Sequence, residues 1–175
     1  NTHSDVYSIH PGNGWIMTGG LASGESAWPS NTGVIHSYKD PANNSNLVVT
    51  NYHTAYTSIN DRDGYIHSSP TSDDGAIIVG ESLNSDGEPQ IEIVKIDASG
   101  NEQWTGSFSS DDSANEVGPV EADYGRFVIE TSDGNYVVVG HSYHPKSDND
   151  GWIYKWKTIF VKFDSNGQVM LDRGY

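Results

Sequence analysis

Apolar residues are concentrated in three short runs, and each run follows a polar turn and ends near a glycine. Apolar and polar positions scarcely alternate within the runs, which is typical of strands that are covered on both faces. Their β-branched residues and flanking glycines favour strands over buried helices. The three equivalent runs are residues 15–18, 76–79 and 136–139.

A second strand follows each run after a loop of variable length, and it ends in lysine and aspartate. The sequence there is Val-Lys-Ile-Asp at residues 94–97 and Val-Lys-Phe-Asp at residues 161–164. The first copy departs from this pattern, because Lys39 stands directly before Asp40. Turns rich in Asn, Ser and Gly lead into another short strand, and a further strand precedes the apolar run. The repeating unit therefore contains about four short strands.

The spacing of equivalent residues indicates the size of the repeating unit. Gly19, Gly80 and Gly140 close the apolar runs and are 61 and 60 residues apart. A period of about 60 residues with four short strands is typical of propeller blades that carry long loops. We therefore predict an all-β protein, a single repeat domain over residues 1–175 made of three open-ended, propeller-like blades. The predicted blades span approximately residues 5–64, 65–125 and 126–175.

The repeated motif resembles that of secreted bacterial β-propellers. Residues 131–140 read Thr-Ser-Asp-Gly-Asn-Tyr-Val-Val-Val-Gly, and residues 161–167 continue Val-Lys-Phe-Asp-Ser-Asn-Gly. Residues 71–104 repeat this pattern and end in Trp, close to the Asp-Gly-Gly-Tyr-Ile-Val-Gly and Val-Lys-Leu-Asp-x-x-Gly-x-x-x-Trp consensus of those proteins. The resemblance implies an extracellular or cell-surface propeller, and it implies no shared catalytic residues.

Three blades are fewer than the roughly four to eight of propeller rings. The third copy ends soon after its short strand, and residues 5–10 form a strand of the type that residues 126–131 supply elsewhere. Because unpaired strand edges need to be covered, we expect the first strand of one chain to complete the last blade of another, or of a continuing part of the same polypeptide. Two chains would then form a six-bladed C2 ring, and an open arrangement would form a filament. The alternatives are a fragment of a larger polypeptide or a small β-sandwich.

Composition narrows the classes of function. The net charge of −15 disfavours nucleic acid as a partner. The chain has no cysteine, which excludes disulfides, thiol catalysis and cysteine-based zinc sites. No apolar run reaches the roughly 20 residues of a transmembrane segment. Motifs of serine hydrolases, zinc proteases and P-loop proteins are missing as well, so we expect a protein that binds or builds and is not an enzyme.

The variable loop of the third copy, residues 141–157, contains the predicted carbohydrate site. Its residues Trp152, Tyr154 and Trp156 alternate, so a strand would place the three rings on one face. Flat aromatic rings offer apolar faces to sugars. The predicted carbohydrate site also includes Tyr143 of the same loop and Trp28, which lies in the equivalent loop of the first copy. The alternative interpretation is that these rings pack against a neighbouring blade or subunit.

Two Asp-x-Asp-Gly turns are candidate calcium sites, and calcium is the one cofactor that the sequence suggests. The first turn contains Asp61 and Asp63, and the second contains Asp148 and Asp150. Each provides two carboxylates at alternate positions before a glycine, which is part of what a calcium loop requires. Ordinary Asx-rich turns explain the same pattern equally well.

Three functions follow from these features. The one we favour is an extracellular structural or adhesive protein that associates through open strand edges, as a homo-oligomer, a filament or part of a larger polypeptide. The second is a carbohydrate-binding module that uses the aromatic loop. The third is a non-catalytic fragment of a larger propeller enzyme.

Overall fold

The computed structural model describes β-strands and the turns between them. It covers the backbone of residues 4–11, 15–22, 32–39, 47–55, 144–148 and 151–154, and backbone with side chains for residues 67–85, 87–98, 101–110, 122–143 and 155–174. The predicted all-β class is confirmed for these residues, which contain no helix. None of the described segments is therefore a helix that could cross a membrane.

The described strands form three four-stranded antiparallel sheets, each a simple up-and-down meander of strands consecutive in sequence. We refer to them as the first, second and third sheets. The first contains β1 (Ser4–Pro11), β2 (Trp15–Ala22), β3 (Thr32–Lys39) and β4 (Leu47–Ala55). The second contains β5 (His67–Pro70), β6 (Ala76–Leu83), β7 (Pro89–Ile96) and β8 (Glu102–Phe108). The third contains β9 (Ala122–Glu130), β10 (Tyr136–Asp148), β11 (Gly151–Phe163) and β12 (Val169–Gly174).

Strand β1 is paired within its own sheet. Its residues form an antiparallel ladder with β2, from Ser4 opposite Ala22 to Pro11 opposite Ile16. The third sheet likewise has four strands of its own. The premise of the expected strand exchange, that the third copy lacks a strand, is therefore wrong. The strand that precedes each apolar run pairs with that run in the same hairpin, because the short turn between them brings the two together.

Bulges show which residues of the three sheets are equivalent. In each sheet one residue of the last strand is skipped by the pairing, and the residue beyond it pairs normally. The three skipped residues are Thr50, Gln103 and Met170. Opposite the bulge, His36 occupies the position of Lys95 and Lys162. The first copy has therefore lost the lysine of the motif, and Lys39 is not its counterpart.

A second pair of bulges corrects the predicted repeat register. The pairing of the first strand skips Tyr7 in the first sheet and Arg126 in the third. These bulges place Gly20, and not Gly19, at the position of Gly140. The apolar strands β2, β6 and β10 therefore recur with a period of 60 residues in both steps. Sequence comparison missed this because Gly19 and Gly20 are adjacent, and only the hydrogen-bond ladder distinguishes them.

The second sheet is buried on both faces. On one face Ile77, Val79 and Ile93 pack against the third sheet in a continuous apolar core. On the other face Ala76 and Ile78 belong to a separate buried cluster with residues of β7. This two-sided burial explains why β6 is apolar without alternation, as the sequence predicted. The first sheet lies beside the second, and its main contacts with the other described strands are those of β1 and β2 with β5.

Glycine allows the second and third sheets to approach closely at one end. A methyl group on Gly106 of β8 would lie 2.4 Å from the carbonyl oxygen of Gly167, in the turn between β11 and β12. Next to this contact Trp104 packs edge-on against Tyr136, with 5.4 Å between the ring centroids. A side chain larger than hydrogen at residue 106 would therefore push the two sheets apart.

The lysine and aspartate of the repeated motif stabilise the turn that precedes the apolar strand. In the second sheet Asp73 accepts a hydrogen bond from Thr71 at 2.6 Å and ion-pairs with Lys95 at 2.7 Å. The ammonium group also donates to the carbonyl of Ile96 at 2.8 Å. Partial burial acts to raise the pKa of Asp73, but the Lys95, Thr71 and Gly75 donors outweigh it, so that this pKa is lowered.

The third sheet contains the same pair of lysine and aspartate, but no described sheet packs over it. Asp133 accepts hydrogen bonds from Lys162 at 2.7 Å and from Thr131 at 2.5 Å, and the Lys162 bond is the main reason that its pKa is lowered. Lys162 is 29% exposed, whereas Lys95 is 3% exposed. The difference arises because the third sheet covers Lys95, and no described sheet covers Lys162.

Candidate functional site

The third sheet has one covered face and one uncovered face. Val128, Val138 and Val161 lie on the covered face and are fully buried against the second sheet. Strand alternation places the neighbouring residues on the opposite face, which we call the outer face. The apolar residues of the outer face are Phe127, Ile129, Val137, Val139, Phe160 and Leu171.

The outer face exposes large apolar side chains. Phe127 is 59% exposed, Ile129 51%, Phe160 41% and Leu171 46%. These residues lie side by side in two rows across the sheet, since Ile129 pairs with Val137 and Phe127 with Val139. Single exposed apolar residues are common, but a contiguous apolar patch on one face of a sheet is typical of an interaction surface.

The corresponding face of the second sheet is completely covered. Ile77 and Val79 occupy the positions of Val137 and Val139, and Ile93 occupies the position of Phe160. Ile77, Val79 and Ile93 all have 0% exposure, because the third sheet packs on them. The outer face of the third sheet therefore has the same apolar character as the face of the second sheet on which the third sheet packs.

Four aromatic rings form a cluster at one end of the outer face, which we call the aromatic cluster. His141 stacks on Tyr124 with 5.0 Å between centroids and meets Trp156 edge-on at 4.9 Å. Tyr143 lies on the other side of Trp156, with 4.8 Å between their centroids. Trp156 is nevertheless 59% exposed, so the cluster presents a large indole surface to the solvent.

Arg126 connects the aromatic cluster to the second sheet. Its guanidinium lies 5.3 Å from the centroid of the Tyr124 ring and forms an ion pair with Glu81 at 3.0 Å. Glu81 is only 1% exposed, so the ion pair compensates a carboxylate that is buried between the sheets. The guanidinium also donates to Nε2 of His141 at 3.4 Å. Burial, and secondly the charge of Arg126, lower the pKa of His141, which favours the neutral imidazole.

The lowered pKa of His141 also affects folding. Below the ordinary histidine pKa the unfolded chain binds a proton that the folded chain does not bind. The contribution of His141 to stability is therefore retained at neutral pH and decreases as the pH falls through the range below 6.5.

The predicted variable loop of the third copy is mostly a β-hairpin. Strands β10 and β11 continue their ladder beyond His141 as far as Asp148 opposite Gly151. The loop prediction over residues 141–157 is therefore wrong, because the polar residues there alternate with aromatic ones and pair across the hairpin. Of the five predicted carbohydrate-site residues, Tyr143 and Trp156 are brought together. Trp152 and Tyr154 lie in β11 with only their backbone described, and Trp28 lies outside the described residues.

The predicted calcium ligands lie mainly outside the residues that the structure describes. Asp61, Asp63 and Asp150 lie outside the described residues, and of Asp148 only the backbone is described, at the end of β10. Among the side chains that the structure describes, no group of three or more His, Asp or Glu residues is arranged to hold a metal ion.

One buried carboxylate joins the second and third sheets. Asp123 is 1% exposed and accepts hydrogen bonds from the backbone nitrogen of Ser110 at 2.6 Å and from its hydroxyl at 2.8 Å. The Ser110 hydroxyl also lies 3.1 Å from that of Ser142. These bonds attach the segment after β8 to the strands β9 and β10, which is a structural role.

Sequence reasoning did not identify the outer face or the contribution of Tyr124, Arg126 and His141. A signal for the outer face was present, because Phe127 and Ile129 are apolar at alternate positions opposite Val137 and Val139. The pairing of Tyr124 with His141 depends on the bulge at Arg126, which no residue pattern shows. No protein-family model matches this chain, and no curated protein is significantly similar to it in sequence.

Proposed function

We propose that this chain is a structural or adhesive β-repeat protein of the propeller type, whose outer face binds another β-sheet of the same kind. The observation that carries the proposal is the contrast between two equivalent faces. Ile93 is fully buried under the third sheet, and its counterpart Phe160 is 41% exposed. Covering the outer face would remove Phe160 and its neighbours from water, which favours association.

The propeller assignment is supported by the arrangement of the strands. Each sheet is a four-stranded meander, and the second and third sheets pack face to face, as propeller blades do. The outer face is then the side of the last blade on which the next blade would pack. The resemblance of the repeated motif to secreted bacterial propellers supports a role outside the cell, at the cell surface or in an extracellular assembly.

Association, on this proposal, depends more on faces than on strand edges. The edge strand β12 is exposed along its length and could add a strand to the third sheet. The outer face offers a larger apolar surface, with aromatic residues of the kind that dominate protein–protein interfaces. We therefore expect the outer face to provide most of the binding free energy.

The experiment is a comparison of oligomeric state by light scattering and analytical ultracentrifugation. The native chain should show a mass above the 19.1 kDa of one chain, increasing with concentration. The double variant Ile129→Glu, Phe160→Glu should remain at the mass of one chain, because two carboxylates on the outer face cannot be buried without a large desolvation cost.

Met170→Glu is the matched control for this experiment. Met170 is 56% exposed and is skipped by the pairing between β11 and β12, so this variant adds one of the two charges of the double variant, away from the rows of the outer face. The control should associate as the native chain does. A native chain that stays at the mass of one chain at every concentration would contradict the proposal.

Carbohydrate binding is the second candidate, and the exposure of Trp156 favours it. An indole that is 59% exposed and supported by Tyr143 and His141 is a suitable platform for a sugar ring. If this is the function, the native chain binds on a glycan array and Trp156→Ala lowers the affinity about tenfold or more. Phe160→Ala, on the same face outside the aromatic cluster, should leave that binding unchanged. An array without signal for the native chain excludes this candidate.

A further inference from the structure

We propose that association of the chain through its outer face is lost in acid, and that His141 is the residue whose protonation prevents the contact. This inference rests on the proposed function and adds the regulation of the same surface. It follows from the position of His141 in the repeat, from its contact with Arg126 and from the charge of the whole chain.

His141 occupies a position that a packed sheet covers elsewhere in the same chain. In the second sheet this position holds Glu81, because Gly80 and Gly140 are equivalent and the two residues directly follow them. Glu81 is 1% exposed where the second and third sheets meet. A sheet that packed on the outer face in the same way would cover His141. The imidazole is half-buried in the single chain, so association would remove its remaining surface from water.

The contact with Arg126 determines which form of His141 the cluster accepts. The guanidinium can only donate, so Nε2 of His141, at 3.4 Å, is the acceptor and Nδ1 carries the proton of the neutral ring. A second proton would have to occupy Nε2, which faces the guanidinium. Protonation would therefore replace a hydrogen bond by repulsion between two cations.

Arg126 is held in this position by a buried partner. Its guanidinium forms the 3.0 Å ion pair with Glu81, whose carboxylate lies between the sheets. Moving the guanidinium away would leave that carboxylate buried without a counter-charge, which is strongly unfavourable. The imidazole, and not Arg126, must therefore respond to acid, either by staying neutral or by leaving its place in the aromatic cluster.

No described carboxylate contacts the imidazole to stabilise its charged form. Lys162, which is paired with Asp133, and Arg173 are the other charged groups near the outer face. Aromatic rings attract cations, which favours protonation. Burial, and secondly the charge of Arg126, outweigh that attraction and lower the pKa of His141. The described side chains around the imidazole are those of Tyr124, Arg126, Tyr143, Trp156 and Thr158.

Association is therefore coupled to the release of a proton. In the single chain His141 is protonated below its pKa, whereas the covered imidazole beside Arg126 has to be neutral. Each pH unit below the pKa of the single chain weakens association by at most about tenfold, which is the limit for one proton. Because this pKa is lowered, the loss of association lies below pH 6.5.

The overall charge of the chain predicts the opposite pH dependence. The net charge is −15 at pH 7 and the isoelectric point is about 4.5, so acid brings the chain closer to neutrality. Weaker repulsion between like-charged chains favours association. A loss of association in acid therefore has to come from a specific group in the contact, and it has the opposite sign to the general effect of charge.

Sedimentation equilibrium at about pH 7.5 and about pH 5, at one ionic strength, tests the inference. The association constant of the native chain should be about threefold lower or more at the acidic pH. Tryptophan fluorescence of the dilute chain verifies that it is folded under both conditions. His141→Gln keeps an oxygen that accepts from Arg126 but takes up no proton, so its association should be at least as strong at the acidic pH.

His141→Phe keeps the ring and cannot titrate, so it should behave as His141→Gln does and serves if that variant does not fold. His144→Gln, three residues later on β10, is the matched control and should keep the native pH dependence. Native association that is equal or stronger at the acidic pH overturns the inference and leaves the proposed function intact. A loss in acid that persists in both His141 variants, or that disappears in the control, overturns it as well, since another group then takes up the proton. Absence of association of the native chain at about pH 7.5 overturns both.

Discussion

Phe163→Ala should lower the free energy of unfolding by about 3–5 kcal/mol, the usual cost of truncating a buried phenylalanine. Phe163 has 0% exposure and lies in the core between the second and third sheets, so its removal leaves a cavity that the two sheets cannot readily close. Urea denaturation of the chain at low concentration, followed by tryptophan fluorescence, measures the change.

Phe160→Ala is the matched control, three residues earlier on the same strand. Phe160 faces the opposite side and is 41% exposed, so the same substitution should cost about 1 kcal/mol or less in the isolated chain. It should instead weaken self-association. If Phe160→Ala destabilised the dilute chain as strongly as Phe163→Ala, the outer face would already be covered within one chain, and both proposals would fail.

Asp73→Asn should destabilise the chain by about 2–3 kcal/mol, because it leaves the ammonium of Lys95 buried without its partner. Lys95 is 3% exposed, and this burial makes the loss costly. Asp73 itself is 48% exposed, which reduces the expected cost below that of a fully buried pair. Since the pKa of Asp73 is lowered, the stabilisation by this pair should be present at neutral pH and be lost as the pH falls below the ordinary aspartate pKa.

Asp133→Asn in the third sheet is the internal comparison, since its partner and turn are chemically the same. Lys162 is 29% exposed and Asp133 52%, so breaking this pair should cost much less stability in the dilute chain than breaking the Asp73 pair. Thermal or urea unfolding of both variants at one pH measures the difference. Equal losses would show that the covering sheet does not determine the strength of the pair, contrary to our interpretation of the two repeats.

Local sequence determined the strands and the turns of this protein. The apolar runs at residues 76–79 and 136–139 form strands because β-branched residues favour extended backbone and glycines end the runs. The Asp73 and Asp133 turns follow from side chains that hydrogen-bond within a few residues, supplemented by a lysine from a neighbouring strand. Such features depend on contacts that are short in sequence or repeated, and a residue pattern can show them.

The candidate site could be predicted only in part. Tyr143 and Trp156 were identified because aromatic residues alternate in that segment, and the structure brings the two rings into contact. Tyr124 and Arg126 were missed because Arg126 forms a bulge in β9 and Tyr124 pairs with His141 only beyond that bulge. The extension of the β10–β11 hairpin was missed because its pairing, and not its composition, distinguishes it from a loop.

The sequence by itself determined that the chain is a repeat of short strands joined by specific turns, and it indicated which residues of the second and third copies are equivalent. Only the tertiary structure decided which of those equivalent positions are buried. Lys95 and Lys162 occupy equivalent positions of the motif, and Ile93 and Phe160 occupy equivalent positions of the ladder, yet one of each pair is covered and the other is exposed. The physical reason is that burial depends on which element packs on a sheet, and the residues of the strand itself do not specify that element.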